Sequence, residues 1–84
     1  MSEEEIGRVS DFYSHLLVAG IELGGSLKVG DQVHIKGHTT DLSFAVGSMQ
    51  INNRPVNDAH KGDAIGVKVP DRVRHGDKVY KVVP

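Results

Sequence analysis

Leu27-Lys28-Val29-Gly30-Asp31-Gln32-Val33 sets one apolar residue three positions before a glycine and another three positions after it. The pattern recurs at Ala59-His60-Lys61-Gly62-Asp63, followed by Ile65, and at Val73-Arg74-His75-Gly76-Asp77, followed by Val79. Glycine takes the positive φ of a tight turn without Cβ strain. The aspartate after it can bond nearby backbone amides. The glycines stand 32 and 14 residues apart, too uneven for a tandem repeat. The spacing fits strands entered repeatedly by one kind of corner.

Outside these corners the chain alternates with period two, as half-buried strands do. Leu17, Ala19, Ile21 and Leu23 share one parity; so do Val33 and Ile35, then Leu42, Phe44 and Val46, then Ile65, Val67 and Val69. Met49 and Ile51 have the opposite parity to Leu42. A β-bulge at Gly47-Ser48 would bring both sets to one face; two separate strands are the alternative. Asn53-Arg54-Pro55 and Val69-Pro70-Asp71 mark loops, because proline cannot donate to a ladder. The reading is all-β, with strands near 6–13, 16–23, 32–36, 41–51, 64–69 and 77–83, and a short piece near Val56. Six or seven short strands in a small chain imply a closed barrel or a sandwich. Residues 1–5, with three glutamates, read as a disordered acidic tail, and 6–84 as one domain.

The 84 residues are 38% apolar and 25% charged, which suits one small folded domain. No cysteine is present, which removes disulfides, thiol catalysis and cysteine-held zinc. No apolar run approaches a membrane span, and the acidic start lacks a signal-peptide core. The expectation is a cytoplasmic monomer. From Ile6 onward ten Lys/Arg face eight Asp/Glu, too weak an excess to imply nucleic acid by charge alone.

Four ordered blocks resemble the second domain of translational GTPases. They are Leu27 to Gly37 (LKVGDQVHIKG), Ser48-Met49-Gln50-Ile51 with Arg54-Pro55-Val56-Asn57-Asp58-Ala59, Gly62-Asp63-Ala64-Ile65-Gly66-Val67, and Gly76-Asp77-Lys78-Val79. The resemblance runs over about residues 6–83. It implies a small, mostly antiparallel, closed β-barrel like domain 2 of elongation factor Tu. The short free-standing elongation-factor-like proteins are the nearest in kind, and a similar barrel ends the collagenase-like U32 peptidase-family proteins. In the resembled barrel a Glu, a His, an Arg and an Asn touch the aminoacyl end of tRNA. The matching positions here are Gln50, Asn52, Asn53 and Ala64. Gln and Asn can still bond a base or ribose, whereas Ala64 offers no polar group.

No nucleotide is expected, because no G-x-x-x-x-G-K-[ST] loop exists; Gly24-Gly25-Ser26 lacks the lysine and the following helix. His34 and His38 are four apart, a metal-ligand spacing only on a helix, and here they read as strand and turn. His38-Thr39-Thr40-Asp41 holds a hydroxyl, an imidazole and a carboxylate, but neighbours on a loop rarely take a catalytic geometry. No enzyme activity, cofactor or metal is therefore expected. Two polar turns remain. Lys36, His38 and Thr39 form one, and Asn52, Asn53 and Arg54 the other. Lys36 and Arg54 can neutralise phosphates while the asparagines bond sugar or base edges, which makes RNA, either tRNA or ribosomal RNA, the first expected partner. An ordinary solvated pair of loops is the plain alternative. Leu16 and Val18 have the outward parity of the second strand, an apolar strip suited to a protein partner such as a U32-family protein. Of Phe12 and Tyr13, alternation leaves one exposed, with Phe12 the core candidate.

Overall fold

The computed structural model describes residues 2–83. They form ten strands: β1 (Ser2–Tyr13), β2 (Val18–Leu23), β3 (Leu27–Lys28), β4 (Gln32–Lys36), β5 (Asp41–Ala45), β6 (Met49–Ile51), β7 (Arg54–Val56), β8 (Asp58–Ala59), β9 (Ala64–Lys68) and β10 (Lys78–Val83). All ladders are antiparallel. The fold is all-β, and no helix among the described residues is long and apolar enough to cross a membrane.

The three recurring stretches are three copies of one corner. Gly30, Gly62 and Gly76 have φ of 98°, 94° and 93°, as the third residue of a type II turn requires. Asp31, Asp63 and Asp77 close each turn twice. Their N–H groups donate to the carbonyls of Lys28, His60 and Arg74 at 3.1, 3.0 and 3.1 Å. Their carboxylates accept from the N–H groups of the same three residues at 3.0, 2.8 and 2.8 Å. Each corner also grips one apolar residue of another strand or its end. The glycine N–H donates to the carbonyl of Val46, Leu23 or Val9, and that residue's N–H donates back to the aspartate carbonyl, all at 2.8–3.0 Å. The flanking Leu27, Ala59, Val73, Val33, Ile65 and Val79 are all buried, as are Val46, Leu23 and Val9.

The larger sheet has eight strands in the order β5-β4-β10-β1-β2-β9-β6-β7, and β3 pairs with β8 apart from it. This corrects two expectations. There are ten strands rather than six or seven, and the ladder does not close into a barrel among the described residues. Outside the eight-stranded ladder there is only the short β3–β8 ribbon, lengthened by a bond from Val29 N–H to the Asn57 carbonyl, while the Val46 pair with Gly30 and Asp31 extends the β4–β5 ladder by one residue. These are too short to carry a continuous ladder, yet Leu27 and Ala59 still enter the common core.

The bulge expected at Gly47-Ser48 is absent. β5 pairs with β4, whereas β6 pairs with β7 and β9, so the phase change separates two strands that are not neighbours in the sheet. The irregularities sit in β1 instead. Its register shifts between Glu5 and Gly7 against β10, and between Val9 and Asp11 against β2. Ile6, Val9 and Phe12 recur every third residue, and the two shifts turn all three toward the core. Nor are residues 2–5 an unpaired tail: Ser2, Glu3, Glu4 and Glu5 pair with Val83, Val82, Lys81 and Tyr80. Met1 lies outside the described residues.

Replacing Gly30 or Gly62 with alanine meets no atom within 4 Å, so the cost is the backbone strain alone. Each variant is expected to lose about 1–3 kcal/mol in urea denaturation. Gly47→Ala, equally open and without positive φ, is expected to stay within about 0.5 kcal/mol of the parent.

Candidate functional site

Two groups of polar side chains occupy different parts of the surface. The first lies on the outward face of β4. Buried Val33 and Ile35 point inward, so His34 and Lys36 point outward. Glu3 reaches them from β1, with its carboxylate 2.6 Å from His34 Nδ1 and 3.4 Å from Lys36 Nζ. Asp41, at the start of β5, accepts from His34 Nε2. Lys36 Nζ lies 5.6 Å from the Tyr80 ring centre, a cation–π contact. The Asp41 carboxylate, and then that of Glu3, raise the His34 pKa above its ordinary value. His34 in turn holds both carboxylates below theirs. Each ring nitrogen meets its own carboxylate, so the three groups do not converge on one point as metal ligands would.

This network was not legible in the sequence, and it commits Lys36 to partners within the chain. The Asp41 carboxylate is bonded to His34 rather than to His38, its neighbour in the loop. His38 and Thr39 are exposed and Thr40 is buried. With Lys36 they line a shallow depression of about 440 Å³ at the β4–β5 turn.

The second group lines a groove of about 430 Å³ across the outer faces of β2, β9 and β6. Gly20 pairs with Gly66 on the neighbouring strand, and these two glycines form its floor. Asp11 pairs with Gly20 on one side, and Gln50 with Gly66 on the other. The Gln50 side chain lies over Gly66, where a Cβ would come within 3.3 Å of its amide nitrogen. Asn52 and Asn53 stand at one rim, and Tyr13, Leu16 and Val18 at another. Both asparagines have positive φ, 52° and 64°. They are the central pair of a two-residue hairpin loop between paired Ile51 and Arg54, where asparagine is favoured for its backbone alone. None of the side-chain hydrogen bonds or ion pairs of the described residues involves Ser10, Asp11, Gln50, Asn52 or Asn53.

The structure thus brings Asn52 and Asn53 together with Leu16 and Val18, and separates them from Lys36, His38 and Thr39. Arg54 is exposed in β7 beside the asparagine turn but does not line the groove. The apolar strip is displaced from its expected place. Leu16 lies in the β1–β2 turn, 61% exposed, while Val18 is half-buried at the start of β2. Leu17, expected to face inward, sits in the same turn with φ of 52° and is exposed. Tyr13 is exposed, and Phe12 packs against the core. Ser10 and Asp11 were missed, because β1 reaches the groove only through a pairing that no local pattern marks.

No family model matches the sequence. The chain is 51% identical over 77 residues to an uncharacterized protease of Methanocaldococcus jannaschii, covering 90% of this chain and 19% of that protein. It is 33% identical over 78 residues to a collagenase of Porphyromonas gingivalis, covering 90% of this chain and 22% of that protein. The chain therefore spans about a fifth of the length of these curated relatives. Among solved structures it superposes on the C-terminal domain of a Geobacillus thermoleovorans protein described as a U32 peptidase. The TM-score is 0.88 at 16% identity, over 95% of this chain and 93% of that one. On GDP-bound aIF5B of Aeropyrum pernix it scores 0.65 at 21% identity, over 98% of this chain and 14% of that one. These likenesses establish the fold that it shares with a U32 peptidase C-terminal domain and with a translation factor.

The His34 network makes stability depend on pH in a defined direction. The His34 pKa is raised on folding, so its contribution is complete below the ordinary imidazole value and fades as pH rises through the raised one. The carboxylate contributions are complete above their ordinary range and fade as pH falls through the lowered values. Thermal melts are expected to show this stability at mildly acidic pH, with loss toward both extremes. His34→Gln flattens the alkaline limb, and an unchanged limb in that variant contradicts the assignment.

Proposed function

We propose that this chain is a non-catalytic binding module of the translation-factor domain 2 type that contacts RNA, either tRNA or ribosomal RNA, in the cytoplasm. One observation carries the reading. Gln50, Asn52, Asn53 and Ala64, the positions matched to the tRNA-touching residues of the resembled barrel, all line the glycine-floored groove. Among the described residues, the three amide side chains there have no hydrogen bond to give up when a ligand arrives.

The chemistry of the lining suits bases and sugars more than phosphates. Amide side chains donate to and accept from base edges and ribose hydroxyls. Tyr13 offers an exposed ring for stacking. The two glycines let the side chains of Ser10, Asp11 and Gln50 lie close over the sheet, where a ligand would meet them. Arg54, next to the asparagine turn, is the nearest candidate cation for a phosphate. Lys36, with His38 and Thr39 beside it, reaches RNA only by leaving Glu3. Few phosphates are neutralised, so binding is weak and its salt slope shallow.

A second reading, docking to a protein such as a U32-family chain, draws on the β1–β2 turn. Of the four exposed large hydrophobic residues among those described, Tyr13, Leu16 and Leu17 cluster there. The relatives that contain a matching segment are about five times longer, which supplies a larger body for such a surface to meet.

Amide NMR titration with bulk tRNA at low salt is expected to shift residues 10–13, 50–54 and 64–66. Asn52→Gly with Asn53→Gly keeps the turn geometry and removes both amides, so the shifts weaken while the fold persists. Tyr13→Ala is expected to weaken binding by about tenfold. An absence of shifts at low salt removes the RNA reading. Shifts confined to the β4–β5 turn remove the groove from it.

A further inference from the structure

β5 is the end strand of the eight-stranded sheet. Its five pairs with β4 run in regular register, so no bulge twists this edge away. It carries one charge, Asp41, and neither lysine nor proline. Leu42 and Phe44 are half-buried and pack against the core from this edge. Unpaired backbone therefore lies beside apolar surface, the combination that natural edge strands are usually built to avoid. The opposite end strand, β7, is different. It holds Arg54 and Pro55, and proline has no N–H to offer an added strand.

We propose that the β5 edge is an interface for a second copy of this chain, joined antiparallel about a two-fold axis, in place of the monomer expected from the sequence. β5 is self-complementary in the register that overlaps all five residues. Leu42 of one copy lies beside Phe44 of the other, Asp41 beside Ala45, and Ser43 beside Ser43. Residues directly opposite share a face of the sheet, so the apolar pairs meet on the core side and no like charges meet. The net charge of −1 adds little repulsion. An isologous contact uses the same edge of both copies. With Pro55 at the far edge, assembly stops at two. One strand pair covers far less than the roughly 1,200–2,000 Å² of a stable complex, so the dimer is weak and depends on concentration.

Sedimentation equilibrium over a concentration series tests this. The weight-average mass is expected to rise from 9.1 kDa toward twice that value and no further. Ser43→Lys sets two ammonium groups opposite one another on the axis and holds the mass at the monomer. Ala45→Lys sets a lysine beside Asp41 of the other copy and moves dimer formation to concentrations roughly twofold or more lower. Both positions are exposed, and both substitutions add the same charge. Should Ser43→Lys fail to fold, the Ala45→Lys direction still decides. The proposal is overturned by a constant monomer mass in the parent chain, by growth beyond two copies, or by Ala45→Lys weakening association.

Discussion

The fold depends on a carboxylate folded back onto the backbone amide three residues before it. That contact, made by Asp31, Asp63 and Asp77, closes a turn whose third residue only glycine occupies without strain. Each closed turn then presents a glycine N–H and an aspartate carbonyl side by side, and a single apolar residue from elsewhere answers both. A corner is thus a covalent change of direction and also a clamp on a second strand or its end. Three such clamps hold Val9, Leu23 and Val46 in place. With the six apolar residues flanking the corners, they make up nine of the sixteen buried hydrophobic residues among those described. No aromatic side chain is fully buried in this core, so its order comes from placing many branched aliphatic groups rather than from one large anchor.

The corners were legible because their chemistry is local: four or five consecutive residues contain the whole device. The alternation of β4 and β9 was legible for the same reason. What escaped depends on which strand lies alongside. Ile6, Val9 and Phe12 follow no strand period until two neighbours, β10 and β2, impose the register shifts. The acidic start reads as a tail because nothing near it in sequence compensates three glutamates. His34 and Lys36, some thirty residues on, supply the partners for Glu3. The two-residue strands β3 and β8 fall below any pattern length, and with them goes the closure that the resemblance implied. At the site, the asparagine turn was visible from its composition, whereas Ser10 and Asp11 enter the groove through tertiary pairing alone.

The polar groups divide according to whether the chain already uses them. On β4 the imidazole, the ammonium and both carboxylates satisfy one another. A ligand there must break those contacts and recover their energy before gaining any, because an ionised group left unpaired loses more than a neutral one. In the groove the amides and the hydroxyl of Ser10 have no side-chain partner among the described residues and exchange solvent instead. The two groups therefore differ in readiness to bind, and Lys36, one of the two cations the sequence offered for a phosphate, is held by Glu3.

Fold and function separate at this point. At 16% and 21% identity the same strand arrangement sits in a U32 peptidase C-terminal domain and in a translation factor. What such distant chains share is an architecture, and a common architecture does not carry a common activity. The informative residues are those the fold does not require. Asn52 and Asn53 are only partly of this kind, since the hairpin uses their backbone conformation. Tyr13, Leu16 and Leu17 are more fully so. They leave apolar surface in water, and Leu17 adds a left-handed backbone that a bulky side chain does not favour. Glycine or asparagine would form that turn with less strain. The β1–β2 turn and the groove beside it are therefore where this chain departs from what folding alone asks, and where its own function is to be sought.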